Sequence, residues 1–593
     1  MDDMSRQQPE EHHEPRNETA DTASADTMPA NPAAAEGPQA SASTANPATP
    51  LTTRAHRHTA TFWAIVWGAL VVVCVIVGIV IGGLMRSGAD ERNGSGETSV
   101  VATQHGSGTT VTLPSFYGDN MVVQRDEPFT IRGTVHAATS PESTESTESA
   151  EPAAFNAFNV RAVSADGTKE AVTHVNDDGT FTAEFTPTAG SQTPYVIEFR
   201  DGATPVHVLA NVVFGDVFLA SGQSNMELNV DQYYGDASKQ QANLGGQFTM
   251  NDLPKPLVDA DVRFVAADRV AGDVGFPARA VTSGRWLPAS DAQQVRPMSL
   301  LAQQFAAHVR QAQPLIPVGV VQTAWGGTPI ARHEAGGDIY ASHIKPLRGM
   351  RFAGVLWYQG CADASRAADV DAYTQRMVAL INQYRDDFDD ADLPFLYVQL
   401  ARYATDQDFR GIRQRQLDTL GDARLANLDN VAMTVAIDTD KGTDAVIHPL
   451  GKDVLGARMA AQWLAMTRGE AVPNGPIIEK ATTGATKPGT VRLRFVDGTA
   501  DALNVRVPRR DVRAGVDDIA TPTTGTIEGF EVAGSDGVFV PARAAIDGDG
   551  VVLRSDTVDE IRAVRYLYAN DPQARRLLYN DALPASPFII DVS

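Results

Sequence analysis

The chain has 593 residues, 43% of them hydrophobic and 7% aromatic, a balance that supports folded cores and excludes both a wholly disordered polymer and a polytopic membrane protein. Its formal charge of −24 sets up a field that repels polyanions, which argues against nucleic acid as a partner. Two cysteines, Cys74 and Cys361, are too few for a disulfide framework, and no zinc-type spacing of His and Cys occurs.

Residues 1–60, rich in Ala, Thr, Ser, Pro and Glu, lack the large apolar side chains needed to offset the entropy of ordering and read as a disordered tail. Residues 61–85 contain FWAIVWGALVVVCVIVGIVIGGLM, which carries no charge. At about 1.5 Å per residue this run reaches roughly 36 Å, enough to cross a hydrocarbon core of about 30 Å as one helix. A cleaved signal peptide would have a shorter apolar stretch and a small-residue cleavage site. Arg54 and Arg57 before the helix balance Arg86 and Arg92 after it, so flanking charge does not set the orientation. No later run is as long and apolar, and the expectation is a single-pass anchor in the cell membrane with the bulk of the chain extracellular. Residues 86–108, rich in Gly and Ser, read as a flexible stalk.

Residues 109–212 alternate in short runs, FTIRGTV, FNVRAVS, GTFTAEFTP and YVIEFR, the signature of an antiparallel β-domain, with Asp177-Asp178-Gly179 as a hairpin turn. A polar near-repeat at 138–153 reads as a loop insertion. Residues 213–472 change texture. Continuous apolar strands (VVFGDVFL, VGVVQ, FAGVLWYQG, PFLYVQLA, VAMTVAID) alternate with helical stretches such as SLLAQQFAAHVRQA and GKDVLGARMAAQWLAMT, which predicts an α/β domain. Alternating runs return in 473–593 and predict a second β-rich domain.

Within the α/β part, Gly215–Met226 brings a buried strand into a tight turn that delivers Ser224 at the carboxyl end of a strand, where parallel sheets bind ligands and helix starts offer free N–H donors. A lone turn serine is more commonly a helix cap. Further segments change that balance. Gly222-Gln223-Ser224-Asn225-Met226, Trp325-Gly326-Gly327-Thr328-Pro329-Ile330, Gly354-Val355-Leu356-Trp357-Tyr358-Gln359-Gly360 and Ile447-His448-Pro449 with Lys452 resemble, in order, the blocks of the sialate O-acetylesterase family of SGNH-type carbohydrate acetylesterases. Segments near Leu113–Arg125 and Leu578–Phe588 resemble the family's opening and closing stretches.

The resemblance implies an SGNH-hydrolase-like three-layer α/β/α catalytic domain flanked by β-rich domains. It also implies a serine esterase that removes O-acetyl groups from sialic acids on glycans or mucins, through an acetyl-serine intermediate and without a metal or other cofactor. Ser224 is the expected nucleophile and His448 the general base. The Ser224 N–H, the Gly327 N–H and the Gln359 side chain are the expected oxyanion donors.

The family pattern also breaks here. The triad acid often stands three residues before the histidine, a position held by Ala445; Asp444 is the nearest carboxylate, with Asp438, Asp440 or a backbone carbonyl as rivals. The Glu that commonly follows WYQG is Cys361, and Ala331-Arg332-His333 replaces a stretch that often carries an aromatic. Arg332 is a candidate for the substrate's negative charge. His308, His333 and His343 read as surface or core histidines, and Cys361 as a small buried residue. Two alternatives stay open: an esterase for another acetylated carbohydrate such as xylan, and a surface glycan-binding protein with a decayed site. No protein partner is evident.

Overall fold

The computed structural model describes residues 108–137, 155, 157–243, 249–267, 286–425, 428–441, 446–483, 488–508, 520–581 and 583–593. The tail, the apolar run, the stalk and the polar near-repeat expected at 1–60, 61–85, 86–108 and 138–153 lie outside these residues, apart from Gly108. Among the described residues no helix is long and apolar enough to cross a membrane.

The core of the molecule is a parallel sheet whose strands run Asp259–Ala266, Val318–Gln322, Thr204–Gly222, Gly354–Tyr358, Phe395–Gln399 and Val431–Val435, with Leu287–Ala289 antiparallel on the first edge. Every residue of the strands starting at Val318, Gly354, Phe395 and Val431 is buried, as continuous apolar runs demand when helices cover both faces. On one face Phe218 of the central strand meets Phe305 and Trp463 edge-on at 4.8 and 4.9 Å. Burying such a ring contributes about 1.5–3 kcal/mol.

Those aromatic partners stand on helices Leu300–Ala312 and Lys452–Arg468. In the first, Leu301, Phe305 and Val309 recur every fourth residue on the buried side, and Ser299 caps the start by accepting the Ala302 N–H at 3.1 Å. In the second, Leu455, Met459 and Trp463 repeat the spacing, and Gly469 stops the helix with a left-handed φ of 64°. On the opposite face, Tyr384 of helix Ala367–Asp387 meets Trp357 at 6.4 Å and Phe395 at 6.2 Å. These helices and the sheet between them make three layers, as the family resemblance implied.

The β-rich parts flank this core. Strands Thr110–Thr112, Phe129–His136, Thr180–Phe185 and Val172–Val175 form one antiparallel sheet, with the turn at Asp177-Asp178-Gly179 where the sequence put it. The boundary drawn at 212/213 falls inside one continuous strand, Thr204–Gly222. Its first half pairs antiparallel with Ser191–Asp201, and its second half is the centre of the parallel sheet. The N-terminal β-part is thus joined to the core by a shared strand instead of a linker. At the other end, strands after residue 477 form small antiparallel sheets. The Tyr579 hydroxyl from this part donates to the buried Asp438 of the core at 2.8 Å.

Candidate active site

The central strand has neighbours on both sides, and the chain visits one flank of the sheet before crossing to the other, so its carboxyl end lies at a topological switch point. Gly222 pairs with Tyr358 there and has a φ of 120°. A Cβ on Gly222 would stand 2.5 Å from the Tyr358 carbonyl oxygen, so only glycine fits. The next residue, Gln223, donates its N–H to that oxygen at 2.9 Å, and its side-chain oxygen accepts from Gly360 N–H and Ala362 N–H at 3.2 Å each. Ser224 then opens the short helix Ser224–Glu227, half-buried, with its own N–H at the donor-rich helix start.

His448 reaches this serine from a loop before helix Lys452–Arg468, its Nε2 lying 3.0 Å from Ser224 Oγ. Its Nδ1 lies 2.8 Å from Asp236 Oδ2. The His448 hydrogen bond holds the Asp236 carboxyl below the usual carboxylate range, with Lys239 at 3.2 Å adding to the effect. The acid expected at Asp444 lies outside the described residues, and the carboxylate on the imidazole is Asp236, a residue the sequence reading did not single out. Asp236 belongs to helix Val230–Asn243, one turn after Tyr233, whose hydroxyl donates to Leu450 O at 2.6 Å. The two side chains share one face of that helix and hold the same loop. The buried pair Tyr233 and Ala237 around Asp236 is the only signal in the sequence, and it marks an inward face without naming a partner. The rivals Asp438 and Asp440 are taken by Arg458 and Arg402 respectively.

The Trp325–Ile330 segment lies beside the serine: Trp325 N–H donates to Gly222 O at 2.9 Å, and Gly326 N–H to Glu227 Oε2 at 2.8 Å. Gly327 follows, exposed, with a φ of 74° and open space where a Cβ would stand. Gln359 does not fit the oxyanion role expected of it. Its side-chain amide is fully buried, donates to Thr328 O and to Asp363, and accepts from the Tyr373 hydroxyl at 2.9 Å. An amide has only two N–H bonds, and both are engaged. Arg332 is similarly committed: Nε and Nη2 grip Asp338 at 2.8 and 2.6 Å, and the guanidinium lies over the Trp325 ring at 4.9 Å. Its charge is neutralised where a substrate anion would need it.

The remaining groups are structural. Burial pushes the Cys361 thiol up to about 12, which leaves it without nucleophilic thiolate. Fully buried His333, 2.9 Å from Thr328 Oγ1, is pushed down to about 3 by desolvation. His343 is also buried, 2.7 Å from Ser342 Oγ.

A hydroxyl, an imidazole and an ionised carboxylate in hydrogen-bonded series, with helix-start N–H groups beside the hydroxyl, can transfer an acyl group through the oxygen. On this sheet, that constellation has the geometry that serine-dependent acyl transfer requires. Residues 283–465 match the family model described as carbohydrate esterase, sialic acid-specific acetylesterase. Sialate O-acetylesterase of Homo sapiens is 27% identical over 328 residues, covering 48% of this chain and 60% of the relative. The Mus musculus counterpart is 25% identical, covering 44% and 58%. The chain therefore spans about 60% of the length of these curated relatives. Among solved structures, a carbohydrate acetylesterase from Xanthomonas citri aligns with a TM-score of 0.63 and 28% identity, covering 81% of this chain and 100% of its own.

Proposed function

We propose that this chain is a serine esterase that hydrolyses O-acetyl esters of sialic acids on glycans. The observation that carries the reading is the continuous series Ser224 Oγ, His448 Nε2, His448 Nδ1 and Asp236 Oδ2, at 3.0 and 2.8 Å. Ser224 Oγ attacks the acetyl carbon while His448 takes its proton, and Asp236 holds the imidazole and stabilises the imidazolium. The oxyanion is received by the Ser224 and Gly327 N–H groups, each donor contributing about 3 kcal/mol to the transition state. Collapse expels the sugar oxygen, which takes the proton from His448. Water, deprotonated by the same imidazole, then releases acetate from acetyl-Ser224.

A second reading, an acetylated neutral carbohydrate such as xylan, is favoured by the neutralised Arg332 and by the net charge of −24, both of which disfavour an anionic sugar. The intact hydrogen-bonded series speaks against a decayed site. The apolar run at 61–85 supports a single-pass anchor in the cell membrane with the esterase part outside; protection of the C-terminal part from protease added to intact cells would reverse that orientation.

The test is acetate release by the full chain in detergent, wild type beside Ser224→Ala, on O-acetylated sialoglycan and acetylated xylan. The expected result is release from the sialoglycan that falls on the order of a million-fold in Ser224→Ala. Release from xylan alone moves the substrate to the second reading. No serine-dependent release from either ends the esterase reading for both.

A further inference from the structure

Asn225, one residue past the nucleophile, is almost completely buried and uses both ends of its amide. Its Oδ1 accepts from Lys452 Nζ at 2.5 Å, and its Nδ2 donates to Ile447 O at 3.0 Å. Ile447 immediately precedes His448, and Lys452 opens the helix that follows it. One side chain on the serine turn therefore grips the imidazole loop at both of its ends. The loop is held between those points as well, by the Tyr233 hydroxyl on Leu450 O and by Gly451 N–H on Thr439 O.

Lys452 is an expensive residue for this place. It is fully buried, with Nζ 4.8 Å from the centroid of the Tyr358 ring and no ion pair among the described residues. Desolvation pulls its amine down to about 7. A buried amine without a carboxylate costs stability, and an apolar side chain of similar length would pack there at less cost. Next to a reacting pair that depends on tenths of an ångström, such a cost has a functional counterpart.

We propose that Asn225 and Lys452 form a positioning clamp that sets the His448 imidazole against Ser224, so that the two parts of the relay, far apart in sequence, keep their hydrogen bond. Neither residue touches the reacting atoms. Only an amide does both jobs: Asp at 225 would keep the lysine and lose the donor to Ile447 O, and Leu would lose both. The proposal rests on the esterase reading for its rate measurement but not for its spectroscopic one.

The experiment uses the full chain in detergent with p-nitrophenyl acetate, comparing wild type, Lys452→Met, Lys452→Gln and Asn225→Asp. For Lys452→Met the expected result is a kcat lower by about 10- to 100-fold, KM within about twofold, and a thermal midpoint equal to or above wild type. Lys452→Gln, which retains a donor, recovers part of the loss, and Asn225→Asp loses about 10-fold. In parallel, the downfield proton resonance of His448 Nδ1–H on Asp236 should broaden or vanish in Lys452→Met. A merely structural role predicts the opposite split: a lowered midpoint with kcat and resonance kept. That result, or wild-type kcat in folded Lys452→Met or Asn225→Asp, overturns the clamp. Collapse of both Lys452→Met and Asn225→Asp overturns it too, by making the cluster a core element. A wild type that hydrolyses no ester removes the esterase reading, and the resonance then decides the clamp alone.

Discussion

The serine turn and the histidine loop meet at 3.0 Å, yet they are built in opposite ways. The turn is a continuation of the sheet: Gly222 is laddered to Tyr358, Gln223 N–H bonds the Tyr358 carbonyl, and Trp325 N–H bonds Gly222 O. Its position follows from backbone pairing on both sides, which any sequence of strand-forming residues with the right glycine would reproduce. Residues 446–451 have no ladder. Side chains from elsewhere hold them: Asn225 on Ile447 O, Asp236 on the His448 ring and Tyr233 on Leu450 O. Ser224 is fixed by main chain, His448 by tethers. Substitutions at the tethers should therefore cost rate with the fold kept, whereas a side chain at the backbone-paired Gly222 of the turn should cost the fold.

The sharpest test of that contrast is Asp236→Asn, which keeps the shape of the tether and removes its charge. By analogy with triad acids, kcat should fall about 10,000-fold while the urea midpoint stays near wild type. Asp444→Asn, by contrast, should remain within about twofold of wild type in the same assay. A large loss at Asp444 with little at Asp236 would reverse the assignment.

Next in size is Gly222→Ala. A side chain at a φ of 120° and 2.5 Å from the Tyr358 carbonyl should cost on the order of 3 kcal/mol, read as a lower urea midpoint, with activity lost in proportion to folded protein. If this variant folds normally and loses only rate, the turn is not held as described. Tyr233→Phe removes one tether hydroxyl at 2.6 Å and should cost about 1 kcal/mol of stability, with a few-fold drop in kcat.

Stability also depends on pH. Burial sets the Lys452 amine at about 7, against an ordinary value of 10.5, so between those limits the unfolded chain holds a proton that the folded chain has shed. Stability contributed by this group therefore rises with pH from about 7 upward. The urea midpoint of wild type should gain between pH 7 and pH 9 relative to Lys452→Met, and parallel curves would remove Lys452 from that titration.

Much of this was legible in the chain itself. Continuous apolar runs fixed the parallel strands because burial on both faces leaves no polar alternation, and i, i+4 repeats such as Leu455, Met459 and Trp463 fixed the helices that cover them. Ser224 and His448 stood out because the strand-end turn and the His-Pro loop lie in blocks that resemble, in order, those of a known esterase family. The acid did not: Asp236 has an unremarkable helical context, and its role exists only because a helix and a loop separated by 212 residues are folded against each other. Gln359 failed in the other direction. Its block promised a free amide, but Thr328, Asp363 and Tyr373 converge on it only in the folded core and use up its hydrogen-bonding capacity.

The sequence by itself determined the elements and their order, since hydrophobic periodicity and turn chemistry act over a few residues, and its family-like blocks pointed to Ser224 and His448. Which carboxylate meets the imidazole, which amide is already spent, which arginine is neutralised, and where Asn225 and Lys452 bridge the relay were decided by tertiary structure alone. Such contacts depend on side-chain direction and distance across elements, to a fraction of an ångström, and no local pattern along the chain records them.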